Sequence, residues 1–240
     1  MNSFSALSST QLSVLQTVTQ FRQLTTSQLR RVHYRSGTPD GQRVRSCRHL
    51  KRLTQLGYLK RMWGAYNGSA EYVYQLASTK ARTPEPHTLD IAETFVRLLE
   101  VCRRNDESSP YGSVHVQRTD MTFRTEPWCH TRVGHVLLKP DAYLELNGAS
   151  YFLEQDGSVE WESQLTAKMR RYIQAIDSGA WPDDRAFPLV LWLVPDEARK
   201  KYLEDIIHKL GERDLFSTVL FSEAAERLVG NGRRQDAHTA

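Results

Sequence analysis

The chain has 240 residues, of which 40% are hydrophobic and 25% are charged, as is usual for a soluble globular protein. No run approaches the 18 consecutive apolar residues of a membrane span, and the polar N-terminus does not have the pattern of a signal peptide. We therefore expect a cytoplasmic protein that does not bind a membrane.

The formal net charge of +4 is divided unevenly along the chain. Residues 1–82 carry +11, because their only acids are Asp40 and Glu71, whereas residues 83–240 carry −7. A basic segment of this kind favours a polyanionic partner. The basic helix described below has no Trp- or Phe-rich face that would insert into a bilayer. We therefore predict double-stranded DNA as the partner.

The first part of the basic segment predicts three helices. Ser9 or Thr10 is expected to cap the first helix, and Thr25 or Thr26 is expected to cap a short second one. The third lies within Gln42–Leu59. Three helices in about 50 residues, of which the third is basic, form the helix-turn-helix pattern.

The third helix is amphipathic and is expected to end at Gly57. On a helical wheel, an arc of about 120° holds the long polar side chains of Arg45, Arg48, Lys51, Arg52 and Gln55. Apolar side chains occupy most of the rest of the wheel and are predicted to pack in a core: Val44, Cys47, Leu50, Leu53 and Leu56. A merely solvated helix is the alternative, but such a helix normally mixes charges of both signs. We interpret this one as the DNA-reading helix.

The predicted DNA contacts fall into two classes. Near the start of the third helix, side chains are expected to meet base edges in the major groove: Gln42, Arg43, Arg45, Ser46 and His49. The second class is expected to contact phosphates: Arg48, Lys51, Arg52, Lys60 and Arg61.

Two strands are predicted directly after the third helix. They lie at Leu59–Trp63 and Glu71–Leu76, and the turn signal Asn67-Gly68 lies between them. A hairpin in this place is a wing, and the basic phrase before it resembles many bacterial winged-helix regulators. Trp63 and Tyr66 either stack on bases or pack on the helices. Residues 1–82 are thus predicted to be a winged helix-turn-helix domain.

The acidic part begins with a predicted linker, residues 83–88, which contains two prolines. Residues 89–230 are predicted to form an α/β domain with a mixed sheet, in two or three layers, and residues 231–240 a disordered tail. Strands are predicted in 114–118, 134–146, 151–153, 189–194 and 218–221, and helices in 89–104, 159–177 and 196–210.

Two acids lie on consecutive predicted strands of this domain. Asp141 follows Pro140 on one strand, and Glu154 lies on the next. This arrangement, with a helix after it, resembles the core of the PD-(D/E)xK nuclease superfamily. The resemblance implies that the two carboxylates hold Mg²⁺ or Mn²⁺ and that an earlier helix adds an acid, for which Glu93 is the candidate.

The chain departs from the nuclease pattern at one position. Asp156 stands where the superfamily has a lysine, and Lys168 on the following helix is the candidate replacement. If the site is active, its catalytic set is Asp141, Glu154, Asp156 and Lys168, with the three acids as metal ligands. If Lys168 instead neutralises the acids, the cluster is structural and no cofactor is required. We favour the second hypothesis.

The wider pattern is more specific than the nuclease motif alone. A winged helix, a proline-containing link and then residues 141–172 resemble the replication-relaxation family of bacterial proteins linked to plasmids and mobile elements. The resemblance implies a winged helix-turn-helix domain followed by a restriction-endonuclease-like α/β domain with a mixed central sheet. It also implies DNA binding tied to plasmid replication or relaxation.

Three functions follow from these patterns. The first is a sequence-specific, non-catalytic DNA-binding protein that acts in replication or relaxation control or in transcription regulation. The second is a metal-dependent endonuclease that nicks or cleaves DNA. The third is an adaptor whose acidic half docks a replication or relaxation protein. A homodimer is expected, because one winged helix contacts only one half-site.

Overall fold

The computed structural model describes residues 7–66, 68–80, 83–107, 120–212 and 214–236. The chain divides into two units, residues 1–96 and 97–240. The strand predicted in 114–118 and the turn residue Asn67 lie outside the described residues. None of the described helices combines the length and hydrophobicity that a bilayer span requires.

The first unit contains three helices, a three-stranded sheet and the start of a fourth helix. Its elements are α1 Ser9–Phe21, β1 Leu24–Thr25, α2 Thr26–His33, α3 Pro39–Gln55, β2 Leu59–Tyr66, β3 Ser69–Leu76 and α4 Pro86–Glu107, which continues into the second unit. The sheet order is β1-β3-β2, and both pairings are antiparallel. The predicted hairpin is confirmed, and β2 and β3 form it.

Local capping explains where the first helices begin. The Ser8 side chain caps α1 and forms a capping box with Gln11, so this helix begins one residue earlier than predicted. Thr25, one of the two residues predicted to cap α2, does so and forms a capping box with Gln28. Gly57 has a φ of 77°, which confirms the expected glycine after the end of α3.

The core of the first unit forms where the helices meet the sheet. Val18 of α1, Leu29 of α2 and Leu53 of α3 are fully buried. The first turns of α4 belong to this unit, because Leu89 packs against Tyr66 and Val73. The first unit therefore extends to Val96, eight residues beyond the end of the predicted linker 83–88.

The second unit is an α/β structure. Besides the end of α4, its elements are β4 Met121–Thr125, β5 Thr131–Val133, β6 Val136–Leu138, β7 Ala142–Leu146, β8 Ala149–Gln155, α5 Glu162–Asp177, β9 Leu189–Val194, α6 Glu197–Leu210, β10 Phe216–Leu220 and α7 Ala224–Asp236. The last helix extends into the segment 231–240 that was predicted to be disordered, and residues 237–240 lie outside the described part.

A five-stranded mixed sheet forms the centre of this unit, with the order β10-β9-β8-β7-β4. β8, β9 and β10 are parallel, whereas β7 runs antiparallel to both of its neighbours. From β4 at one edge to β10 at the other, the strands therefore follow their order in the chain, and β7 is the strand that runs in the reverse direction. The short strands β5 and β6 pair only with each other.

The sheet is buried on both faces at β9, as its continuous apolar sequence predicts. Val190 and Trp192 of this strand pack with Leu165 of α5 and Leu203 of α6. Leu191, which points to the opposite face, is also buried. The mixed sheet with helical cover agrees with the predicted α/β architecture.

Candidate nucleic-acid interface and carboxylate cluster

The orientation of α3 decides which side chains reach the surface. Ser46, Leu50 and Leu53 are fully buried and form its inward stripe. The Ser46 hydroxyl donates a hydrogen bond to the backbone carbonyl of Arg43 at 2.9 Å, so its polar atom is satisfied in this position. Ser46, which the sequence places among the base-contacting residues, is therefore not part of the exposed surface.

The opposite side of α3 forms an exposed basic face. At about 100° per residue, its centre lies near Val44, which is about 160° from Ser46. The face comprises Arg43 at one edge, and then Val44, Cys47, Arg48, Lys51, Arg52 and Gln55, all of them exposed. The sequence prediction was wrong for Val44, Cys47 and Leu56, which it assigned to the buried side and which are exposed. Leu50 and Leu53 are buried as predicted.

Three other predicted base contacts lie beside this face. The Gln42 amide donates to the carbonyls of Arg35 and Gly37, at 2.7 and 3.1 Å. The Arg45 guanidinium donates to the carbonyl of Ser36. These two side chains therefore hold the loop before α3 and are only partly exposed.

His49 is the third of them and lies against Tyr34. Its Nδ1 is 3.3 Å from the Tyr34 hydroxyl, and the two rings meet edge to face. Partial burial lowers the pKa of His49, and the nearby charges of Arg48, Arg52 and Arg45 lower it further. The imidazole is therefore held in its neutral form near pH 7.

The hairpin of β2 and β3 carries a second exposed group. Trp63 is 63% exposed and lies opposite Tyr72 on the paired strand, with 4.9 Å between the ring centroids. The exposed Arg61 places its guanidinium 4.3 Å from the centroid of the same Tyr72 ring. Together these side chains form an aromatic and cationic surface on the hairpin.

Two other residues of the hairpin are turned inward. Tyr66 is buried, and its hydroxyl donates to Asp90 at 2.8 Å, so this aromatic packs on the fold as one of the two predicted alternatives requires. Lys60 is half-buried and donates to the carbonyls of Ala77 and Thr79. The Lys60 ammonium, which was predicted to contact phosphate, is therefore hydrogen-bonded within the chain.

In the second unit, the antiparallel pairing of β7 and β8 brings Asp141 next to Glu154. Asp141 immediately precedes β7, and its backbone N–H donates to the carbonyl of Leu153 at 3.1 Å. Its Oδ2 accepts a hydrogen bond from the backbone N–H of Gln155 at 2.7 Å. The start of one strand and the end of the next therefore meet, as the predicted strand order requires.

Glu154 is fully buried and has two partners on α5. The Lys168 Nζ lies 2.7 Å from its Oε2, and the Tyr172 hydroxyl donates to its Oε1 at 2.5 Å. Burial raises the pKa of Glu154, while the charge of Lys168 opposes the rise. Burial acts to lower the pKa of Lys168, but the carboxylates of Glu154 and Asp141 outweigh it and raise that pKa.

Asp156 has a different cation. Arg199 of α6 binds it with two nitrogens, Nε at 2.5 Å from Oδ2 and Nη2 at 3.1 Å from Oδ1. The backbone N–H of Ser158 donates to Oδ1 at 2.9 Å. Arg199 also donates to the carbonyl of Glu160, so this pair holds the loop that follows β8.

Glu154 and Asp156 each face a basic side chain of the chain, whereas the nuclease resemblance implies that they face a metal ion. Glu154 and Asp156 are each paired with their own cation, and neither presents an open pair of oxygens to a shared ion. Within the described segments, no group of three or more His, Cys, Asp or Glu side chains is placed to hold a metal. Each of these two carboxyl groups therefore has a basic side chain as its partner.

Glu93, the predicted acid from the earlier helix, lies in the first unit. Both of its carboxylate oxygens are within 2.9 Å of Nη1 of Arg31, and the Gln28 amide donates to it at 3.3 Å. These contacts fasten α4 to α2.

Two residues that sequence reasoning missed complete the cluster of the second unit. Tyr172 follows Lys168 at the i+4 spacing, but its apolar periodicity predicts only a core position. Arg199 is 43 residues from Asp156 in the sequence, and no local pattern links the two.

The model of the replication-relaxation family matches residues 15–85 and 77–190 of the chain. These matched ranges include α3, the hairpin, Lys168 and the three acids Asp141, Glu154 and Asp156. No curated protein and no solved structure is significantly similar to the chain.

Proposed function

Because the chain belongs to the replication-relaxation family, we propose that it is a sequence-specific DNA-binding protein of a plasmid or other mobile element. It acts in the control of replication or relaxation, or in transcription regulation. The first unit reads duplex DNA, with α3 in the major groove and the hairpin of β2 and β3 as the wing. The second unit is a nuclease-like domain that does not cleave DNA.

The exposed basic face of α3 is the observation that carries this proposal. Its four cations are accompanied by a single acid, Asp40, which lies 3.6 Å from one of them, Arg43. A solvated helix would normally balance its charges, whereas a helix that enters a groove needs unbalanced cations to meet phosphates. Arg48, Lys51 and Arg52 are suited to that contact.

The hairpin supports the same mode of binding. In winged-helix proteins this element follows the reading helix and lies along the backbone or in the minor groove. Arg61 supplies a charge for phosphate, and Trp63 supplies an exposed aromatic face. The proposed interface does not include Lys60, whose ammonium donates to a backbone carbonyl of the chain. It does not include Ser46 either, because Ser46 is buried.

For the second unit, the sheet supports a nuclease-like fold and the side chains argue against catalysis. Asp141 and Glu154 meet at adjacent strand ends, as the resemblance implies. Hydrolysis of a phosphodiester needs a cation that is free to stabilise charge at the reacting phosphate. Here Lys168 is paired with the buried Glu154 instead.

The test is a DNA-binding measurement with the full-length chain. A binding site is first selected from random duplex DNA, and the affinity is then measured between 50 and 200 mM salt. If about six phosphates are neutralised, the affinity falls roughly a thousandfold over this range. A flat salt response contradicts the proposal.

Charge-reversal variants make the test specific to α3. Arg48→Glu and Lys51→Glu should weaken binding strongly and reduce the salt dependence. Lys201→Glu makes the same change of charge at an exposed position of α6 and serves as the matched control. Equal losses in all three variants would mean that only net charge matters and that α3 is not the reading helix.

Metal-dependent nicking is the second candidate function, and the juxtaposition of Asp141 with Glu154 is what favours it. In that case a divalent cation must displace Lys168 from Glu154 before it binds.

A further inference from the structure

The exposed basic face of α3 has an apolar centre. Val44 is 51% exposed, and the exposed Cys47 lies one turn farther along on the same side of the helix. Cations of the same face, Arg43, Arg48 and Lys51, lie around them. A branched aliphatic group therefore stands on the exposed side of α3, about 160° from the buried Ser46.

Packing does not account for this placement. The inward stripe of α3 is filled by Ser46, Leu50 and Leu53, so the fold places a serine inside and a valine outside. A single exposed apolar residue is ordinary on a protein surface. Val44 differs from such a residue because cationic side chains surround it. Since these cations attract a polyanion, a polyanion is the partner that approaches Val44.

The chemistry of Val44 limits what it recognises in DNA. An isopropyl group has no hydrogen-bond donor or acceptor, so it cannot recognise the donors and acceptors on base edges. The exception is the C5-methyl group of thymine, the apolar feature that the major groove displays. Val44 lies in the N-terminal half of α3, the part of a reading helix that usually meets base edges.

We infer that Val44, with Cys47 beside it, is a specificity-determining contact that recognises the C5-methyl group of thymine in the DNA target. This inference rests on the proposed function and deepens it. The surrounding cations hold the helix in the groove by binding phosphate, and the apolar centre discriminates between bases. The target sequence therefore contains at least one thymine whose methyl group is required for full affinity.

The test replaces thymine by deoxyuracil, one position at a time, in the duplex selected by the full-length chain. This exchange removes the methyl group and leaves every hydrogen-bonding group in place. At one or two positions the affinity should fall about three- to fivefold, as expected for one buried methyl group. At the other thymines it should not change.

Variants of the protein assign the effect to Val44. Val44→Ala should greatly reduce the preference for thymine over deoxyuracil, because it removes the isopropyl group that contacts the thymine methyl. Leu56→Ala is the matched control, since Leu56 is 42% exposed at the C-terminal end of the same helix. It should retain the wild-type preference for thymine.

The outcomes separate the inference from the proposal beneath it. If the chain binds a selected duplex but shows the same affinity with deoxyuracil at every position, the inference fails and the proposed function stands. If the preference persists in Val44→Ala, Val44 is not the reader and the inference fails. If the chain does not bind duplex DNA, both fail.

Discussion

The ammonium group of Lys168 lies 2.7 Å from Oε2 of Glu154, whose side chain is fully buried. The lysine therefore belongs to the internal electrostatics of the second unit and is directed at the carboxylate. A buried charge without a partner is costly, so the two side chains depend on each other. This dependence can be measured directly.

At a pH above the raised pKa of Glu154, Lys168→Met should lower the free energy of unfolding by about 3–5 kcal/mol, because the ionised Glu154 carboxylate then loses its cation. The loss should shrink as the pH falls, since protonation of Glu154 removes the uncompensated charge. Urea denaturation at two pH values measures both effects. The double variant Lys168→Met/Glu154→Gln should recover much of the loss, and Lys201→Met at an exposed position should change little. Wild-type stability in Lys168→Met would contradict the prediction.

Incubation with supercoiled plasmid and Mg²⁺ or Mn²⁺ should give no nicking, because Glu154 and Asp156 are each bound by their own cation. The same ions should leave the melting temperature nearly unchanged, since a ligand of the folded state would raise it. Gel electrophoresis and thermal denaturation provide the two readouts. Nicking that disappears in both Asp141→Ala and Glu154→Ala would establish an endonuclease instead.

The affinity for DNA should increase as the pH is lowered from about 8 to 6. His49 is held neutral in the free protein, since burial and neighbouring arginines lower its pKa, and approaching phosphates should raise that pKa. A group whose pKa rises on binding takes up a proton, so binding strengthens as the pH falls. His49→Gln should flatten the dependence in fluorescence anisotropy. An identical pH profile in this variant would rule out His49 as the source.

Bound to its selected site, the protein should be a dimer, because one reading helix covers a single half-site. Light scattering should then give about twice the chain mass of 27.6 kDa, after subtraction of the DNA. A single chain per duplex, both at low and at high protein concentration, would retire the dimer proposal.

Several features of the fold could be predicted because they depend on neighbours in the sequence. Thr25 begins α2, and Gly57 follows α3 with the positive φ that glycine tolerates best. β9 is central because its apolar run suits a strand that is buried on both faces. The meeting of Asp141 with Glu154 also follows from sequence, since consecutive antiparallel strands place the start of one beside the end of the other.

The rotation of α3 could not be predicted, because periodicity alone allows two positions for its apolar stripe. The sequence favours the more hydrophobic side chains, Val44 and Cys47, as part of the core. The tertiary structure instead buries Ser46, which lies in line with Leu50 and Leu53 and satisfies its hydroxyl locally. With Ser46 on the inward side, Val44 and Cys47 lie on the exposed side of α3.

By itself, then, the sequence determined the family, the basic first unit and the strand order that brings the two acids together. Only the tertiary structure decided which side chains pair with Glu154 and with Asp156. Glu154 meets Lys168 and Tyr172 from one helix, and Asp156 meets Arg199 from another, 43 residues away. The physical reason is that ion pairing depends on distances of a few ångströms, which packing sets and sequence separation does not.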